Sequence, residues 1–358
     1  MLPHRYFADP RDIAFSFCID SYLLFKNRGG PSGTPLLIKN INLDPSIRTH
    51  LKNLLCVGVI PGPHLAKDLG SFLTPFEEEC VLLAKGVRTY DALAGANFDL
   101  HAYHLCQLGD IISIEKFLGL KGHNSIHPCR SCPITATRDT SLSRSPYYAA
   151  LAKPAEQNGR VVKRNPAALG RRLHESWGET AERIRFAHTA KERNQIAKDT
   201  GIKEKPAMSR VSSLNFAVSI PWDWMHLMEN IVSALISLWK GTFKGLDTGV
   251  EDYVMADSVW QVIGEETESA SSTIPSPFTR KLPNIWTNYR EYNTEAKIFW
   301  FMYLAPILLK GRLEPKFYDH ACVLVKIMQT TTQWTISLQE ITGELTQDIY
   351  NWVEAYEE

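Results

Sequence analysis

The chain has 358 residues, 44% hydrophobic and 22% charged, which excludes an intrinsically disordered protein and allows one large domain with an insertion or two smaller ones. No run of about 18 apolar residues occurs, and the opening MLPHRYFADPRD has neither an apolar stretch nor a small-residue cleavage site, so the expectation is a soluble intracellular protein without a membrane partner. The formal charge of zero hides an asymmetry: residues 142–210 hold 15 Lys and Arg against 7 Asp and Glu, a local +8 that the remainder balances. Such a segment suits a phosphate-facing surface, although a solvated helical insertion has the same composition.

Three apolar, β-branched runs open the chain, IAFSFCI, LLIKNINL and LLCVGVI, separated by the turn-rich KNRGGPSGTP and DPSIRTHLKN. They predict three short strands in an antiparallel meander. After Pro61 and Gly62, Leu69, Phe72, Leu73, Phe76, Cys80 and Leu83 recur at helical spacing with Glu77, Glu78 and Glu79 on other faces. This predicts a long amphipathic helix over 65–84, kinked or divided at Pro75. Residues 98–108, FDLHAYHLCQL, alternate as a strand ending at Gly109 and Asp110, and a short helix over 111–120 follows. Three antiparallel strands, a helix and a further strand that delivers an acid form the order of an RNase H-like sheet, so the expected fold class is mixed α/β. Residues 142–215, rich in Arg and Ala with a helix over 173–197, read as a basic insertion between a region 1–141 and a region 216–358. The last region reads as mainly helical, over 224–240, 257–265, 294–309, 318–342 and 344–356.

Asp20 stands directly after FSFCI and Asp110 directly after LCQLG. Carboxylates at the ends of adjacent strands can bridge two Mg²⁺ ions about 3.5–4 Å apart, the arrangement used in phosphodiester cleavage. Each acid also reads as a turn residue or helix N-cap, Asp110 for the helix beginning at Ile111. The segment KGHNSIHPCRSC offers His123, His127, Cys129 and Cys132, a donor set that satisfies a tetrahedral structural Zn²⁺; a redox pair is the competing reading of C-x-x-C. The other cysteines, Cys18, Cys56, Cys80, Cys106 and Cys322, sit in apolar runs where a small buried hydrophobe suffices.

LLCVGVIPGPH followed by a long helix, then DLHAYHLCQLGDI, KFLGLKGHNSIHPCRSC and IPWDWMHLMENIV, resembles in order and spacing the CACTA (En/Spm-type) DNA transposases, in particular a form found in mushroom-forming fungi. The similarity extends through FKGLD, TIPSPF, LPNIW and the AYEE terminus. The resemblance implies an RNase H-like core that cleaves and transfers DNA strands with Mg²⁺, DNA at the transposon ends as partner, and nuclear localisation. It carries the second catalytic aspartate onto Asp110 and the first onto Asp20, where Ser21 and Tyr22 replace the usual Gly and aromatic residue. The family's Asp-x-x-His element falls on Asp223 and His226, for which a supporting role is expected; His226 is also an alternative zinc ligand. The third acid of the family follows an AYEE-type segment, and this chain stops at Glu358. The resemblance therefore implies a core trimmed at both ends, with little cleavage activity in isolation. A non-catalytic DNA- or protein-binding remnant is the alternative.

Overall fold

A computed structural model of the chain describes residues 2, 4–23, 32–62, 66–137, 148–154, 161–243 and 250–358. Most of the turn expected between the first two runs, the 142–147 and 155–160 parts of the basic segment, and most of FKGLD lie outside the described residues. The chain divides into two compact units, Met1–Asp223 and Trp224–Glu358. It is mixed α/β, and no helix among the described residues is long and apolar enough to cross a membrane.

In the first unit the expected meander forms. Strand β1 (Ile13–Ile19) pairs antiparallel with β3 (Ser32–Asn40), which pairs antiparallel with β4 (Leu54–Pro61); a two-residue β2 (Tyr22–Leu23) also adds to β3. Helix α1 (Leu69–Lys85) is capped by Asp68, whose side chain accepts from the Ser71 amide at 3.1 Å. Pro75 lies inside it without dividing it. The missing amide removes one bond, toward the carbonyl four residues earlier, and the apolar face holds the rest of the helix on the sheet. Leu69, Leu73, Phe76 and Cys80 pack there with Phe15, Phe17, Ile19, Leu36 and Ile60. The Phe17 and Phe76 rings lie 4.5 Å apart.

Beyond α1 the chain departs from expectation. Gly86, at φ 107°, turns it into β5 (Val87–Asp91), which forms a separate hairpin with β6 (Ala96–Leu100). The single strand expected over 98–108 is thus two, β6 and β7 (Ala102–Gly109), with His101 at the corner. Its carbonyl accepts from the Ile13 amide at 2.9 Å and its Nδ1 bonds Asp12 Oδ1 at 3.0 Å. Alternation continues through the corner, so period alone does not reveal the change of sheet. Strand β7 runs parallel to β1, giving the lateral order β4-β3-β1-β7. The ladder pairs Phe15 with His104 and then Ser16 with Cys106, so Leu105 is an extra residue, a β-bulge. Helix α2 (Ile111–Phe117) follows β7 at once.

The basic segment is built into this unit. It contributes the short pair β8 (Ala152–Pro154) and β9 (Val161–Lys163), then α3 (His174–Phe186) and α4 (Ala190–Thr200). The helix expected over 173–197 breaks because Thr189 starts a new one, accepting from the Glu192 amide while Glu192 accepts from the His188 amide. Trp177, Ile202, Met208, Val211, Leu214 and Phe216 join the same apolar cluster as the sheet. Ser213 Oγ donates to the His104 carbonyl at 2.8 Å and the Gln107 amide to the Ser219 carbonyl at 2.9 Å, so residues 213–219 follow the outer edge of β7.

The second unit is helical: α5 (Trp224–Trp239), α6 (Asp257–Ser271), α7 (Thr294–Phe299), α8 (Ala305–Leu308), α9 (Pro315–Thr331), α10 (Leu338–Glu340) and α11 (Thr346–Glu357). One π turn, Trp300–Leu304, joins α7 to α8 and another, Ile341–Leu345, joins α10 to α11. Its core gathers Trp260, Trp300, Phe301 and Met328, and the buried indoles are satisfied: Trp260 donates to the Trp239 carbonyl and Trp300 to Thr267 Oγ1.

Two predictions follow from the first unit's core. Trp177 is fully buried, so Trp177→Ala should cost about 3–5 kcal/mol, read as a lower urea midpoint for this unit; an unchanged midpoint would show that α3 is dispensable. His104 is 1% exposed between Phe15, Phe17 and Phe76, and burial pushes its imidazole pKa down to about 4. The unfolded chain takes up this proton near pH 6.5 and the folded chain only near 4, so the stability is full above pH 6.5. It falls by up to ~3 kcal/mol as the pH drops to 4. Urea titrations at pH 7 and 4.5 should show a smaller acid loss for His104→Leu than for the parent chain.

Candidate active site

The parallel pairing of β1 with β7 runs to the strand ends, where Ile19 lies opposite Gly109. The next residues in sequence are Asp20 and Asp110, each one position beyond this last pair of the ladder. Gly109 permits this pairing, since a Cβ there would stand 2.7 Å from the Ile19 carbonyl oxygen. Asp110 is extended and half-buried, and its Oδ1 accepts from the Ser113 amide at 2.7 Å as the N-cap of α2. Capping and a place at the sheet edge therefore coexist in one side chain. Asp20 is exposed. Burial, and then the carboxylates of Asp20 and Asp223, push the Cys18 thiol pKa up, so Asp223 acts on the same end of β1. Asp223 is half-buried and closes the first unit, whereas His226 lies on α5 in the second.

The Cys/His loop runs beside α2. The Cys129 and Cys132 thiols hydrogen-bond each other, the Ser131 amide donates to Cys129 Sγ at 3.3 Å, and the buried Arg172 guanidinium donates to the Cys129 carbonyl at 2.9 Å. The hydrogen bond from Cys132 is the largest influence holding Cys129 down to about 6, with help from the Ser131 and Cys132 amides and Arg172; Cys132 is pushed far up by the same pairing. His123 Nδ1 lies 3.0 Å from Glu115 Oε1, and His127 Nδ1 donates to the Pro133 carbonyl at 3.3 Å. Among the described residues no three or more His, Cys, Asp or Glu side chains form a group that could hold a metal ion. The thiols are brought together; the four-donor set His123, His127, Cys129 and Cys132 is not gathered into one such group.

Two residues that sequence reasoning passed over tie this loop to the segment ending in Asp223. Arg130, between the cysteines, is 6% exposed; its Nη2 donates to the Pro221 carbonyl at 2.6 Å and its guanidinium lies 4.0 Å over the Trp222 ring. The Trp222 indole donates to Ser131 Oγ at 3.2 Å. The available signal was an arginine inside C-x-x-C and a Pro-Trp-Asp stop before an apolar helix, neither of which predicts contact with the other.

These features define a mixed α/β protein with two aspartates at the ends of paired parallel strands. Residues 2–161 match the family model described as transposase family tnp2, and this match supports a transposase-derived chain. It spans β1 to β7, both aspartates and the Cys/His loop, and covers less than half of the 358 residues. None of the curated proteins matches the chain.

Because Cys129 titrates near 6, its alkylation by iodoacetamide should persist down to about pH 6 and fall below it, whereas an ordinary thiol slows below about pH 8.5. Cys132→Ser weakens the thiolate's support and should move the Cys129 profile upward. A profile centred above pH 8 in the parent chain would contradict the described pairing.

Proposed function

We propose that this chain is an RNase H-like core of a CACTA-type transposase, in which Asp20 and Asp110 hold Mg²⁺ for DNA strand cleavage and transfer. The observation that carries the reading is the parallel pairing of β1 with β7 up to Ile19 opposite Gly109, with an aspartate next in sequence after each strand. The lateral order β4-β3-β1-β7, with α1 crossing between β4 and the β5–β7 segment, supports the RNase H-like assignment. The tnp2 match supports the transposase class.

The donors suit the ion. Mg²⁺ is a hard cation that keeps several waters and is commonly held by one or two carboxylates together with substrate phosphate oxygens, so two aspartates are a sufficient protein contribution. When bound, it would stabilise charge on the attacking and leaving oxygens of a phosphodiester. The residues themselves do the holding and orienting. The bond from the Ser113 amide holds the Asp110 carboxylate at the start of α2, and the ladder up to Ile19 and Gly109 supports an approach of Asp20 to it. Asp223 adds negative charge at the same end of β1. The Cys129–Cys132 pair supplies only two soft donors and the histidines are not gathered with them, so no step is derived through Zn²⁺.

DNA is the partner this reading requires, and the exposed Lys and Arg of α3, α4 and their flanks offer a surface for the phosphate backbone: Arg171, Arg183, Arg185, Lys191, Arg193 and Lys198. The test separates the two parts. Mn²⁺, used as a paramagnetic probe for Mg²⁺, should bind the purified chain, and Asp20→Asn or Asp110→Asn should each weaken it by about tenfold or more. Duplex DNA should bind parent and variants alike, with an affinity that falls steeply and log-linearly with salt. Mn²⁺ binding indifferent to both aspartates would refute the two-carboxylate reading; salt-sensitive DNA binding on its own would then leave a DNA-binding module.

A further inference from the structure

We infer that the free edge of β4 is a self-association surface, where a second copy of this chain adds its own β4 antiparallel about a two-fold axis and joins the two sheets into one. The inference does not depend on the two-carboxylate reading, since β4 and β7 form opposite edges of the sheet.

The chain treats the two edges differently. Residues 213–219 follow the β7 edge, where the Gln107 amide donates to the Ser219 carbonyl at 2.9 Å. Among the described residues β4 pairs with β3 alone. An exposed edge is usually blunted by charge, by lysine above all. Here no Asp, Glu, Lys or Arg occurs between Lys52 and Lys67, and Leu55, Val57 and Val59 are 65%, 47% and 56% exposed. A row of unpaired N–H and C=O groups calls for another strand, and an edge without charge offers an acidic or basic peptide no counter-charge.

The register selects which strand. In an antiparallel ladder, pairs that exchange hydrogen bonds alternate with pairs whose N–H and C=O groups point away from each other. The Gly62 amide donates to the Ser32 carbonyl at 2.8 Å, so by alternation Ile60 opposite Thr34 and Gly58 opposite Leu36 are bonded pairs. Val59 lies between them, opposite Pro35, which has no amide to give; its own N–H and C=O therefore turn to the free edge, as does the Pro61 carbonyl. Leu36 faces Gly58 and Leu37 faces Cys56, so Val57 is an extra residue, a β-bulge. Beyond it the outward residues are Cys56 and Leu54. Outward positions thus fall at 54, 56, 59 and 61, with a step of three across the bulge. A regular strand, with outward groups at every second residue, matches one half of this edge and falls out of step in the other. A second β4 laid antiparallel matches all of it: Leu54 meets Pro61 of the second copy, Cys56 meets its Val59, and the axis passes between Val57 and Gly58. The pairing is isologous and closes as a dimer, and no charged residue lies within the shared ladder to oppose it.

Opposing Cys56 to Val59 of the second copy makes the register itself testable, because both residues are exposed and each occurs once in each strand. Sedimentation velocity of the full chain under reducing conditions, over roughly 1–100 µM, should show the mass rising toward twice that of one chain. The Cys56→Lys/Val59→Lys double variant sets like charges opposite one another at two places and should weaken self-association by about tenfold or more. The Cys56→Lys/Val59→Glu double variant sets opposite charges at the same two places and should restore it. Circular dichroism checks that each variant folds. Amide hydrogen exchange on the parent chain decides the matter if they do not: the Cys56 and Val59 amides should be protected at high protein concentration and exchange freely at low. A parent chain that stays monomeric throughout, association unchanged by the two lysines, a Lys/Glu variant that fails to regain it, or Cys56 and Val59 amides whose exchange ignores concentration would each overturn the inference.

Discussion

Everything that gives the first unit a candidate chemistry depends on one pairing, the parallel ladder between β1 and β7. Parallel neighbours need a long connection, and here it is supplied by β3, β4, α1 and the β5–β6 hairpin, roughly 80 residues between the end of one strand and the start of the other. The apolar face of α1 makes that connection stable by covering Phe15, Phe17 and Ile19 of β1. Two acids far apart in sequence then follow directly on the last pair of the same ladder. Neither acid needs strain to reach its place, and Asp110 even gains a capping bond there.

The basic segment is anchored by contacts a charge count cannot reveal. Glu77, which helical spacing puts away from the main apolar stripe, is only 9% exposed; it accepts from the Arg210 amide and from Arg210 Nε, both at 2.8 Å. His174 Nδ1 accepts from the Phe216 amide at 3.1 Å, and Trp177 fills the space beneath. The segment is therefore basic on its outside and an ordinary part of the core on its inside. Its exposed Lys and Arg side chains are carried on helices fixed to the sheet, which is what a surface for the DNA backbone requires.

The elements legible in the sequence were those whose period and punctuation agreed: IAFSFCI, LLCVGVI and the α1 stripe give β1, β4 and α1 within a few residues. The second run was placed a few residues late, since β3 begins at Ser32 within the turn-rich GGPSGTP. The β5–β6 hairpin was invisible because VRTYD carries little apolar contrast and the alternation of β6 runs on into β7. The break before α4 had a readable signal, Thr189 followed three residues later by Glu192, which the composition of a charged, Ala-rich stretch obscured. At the candidate site, Asp20 and Asp110 could be named from strand ends. The Arg130 and Trp222 contact could not, because it joins residues 92 positions apart through geometry that no local pattern encodes.

The extra residue in β7 bears on how the register at the strand ends is kept. Ile13, Ala14 and Phe15 pair with Ala102, Tyr103 and His104, and Ser16 to Ile19 pair with Cys106 to Gly109, so Leu105 is spliced between two stretches of ladder. Deleting the Leu105 codon would straighten the strand and leave Ile19 opposite Gly109, whereas a further inserted residue that did not bulge out would put the residues after the two strand ends one position out of step and on opposite faces. The end of β7 is thus held by the four pairs after the bulge and not by the count of residues before it.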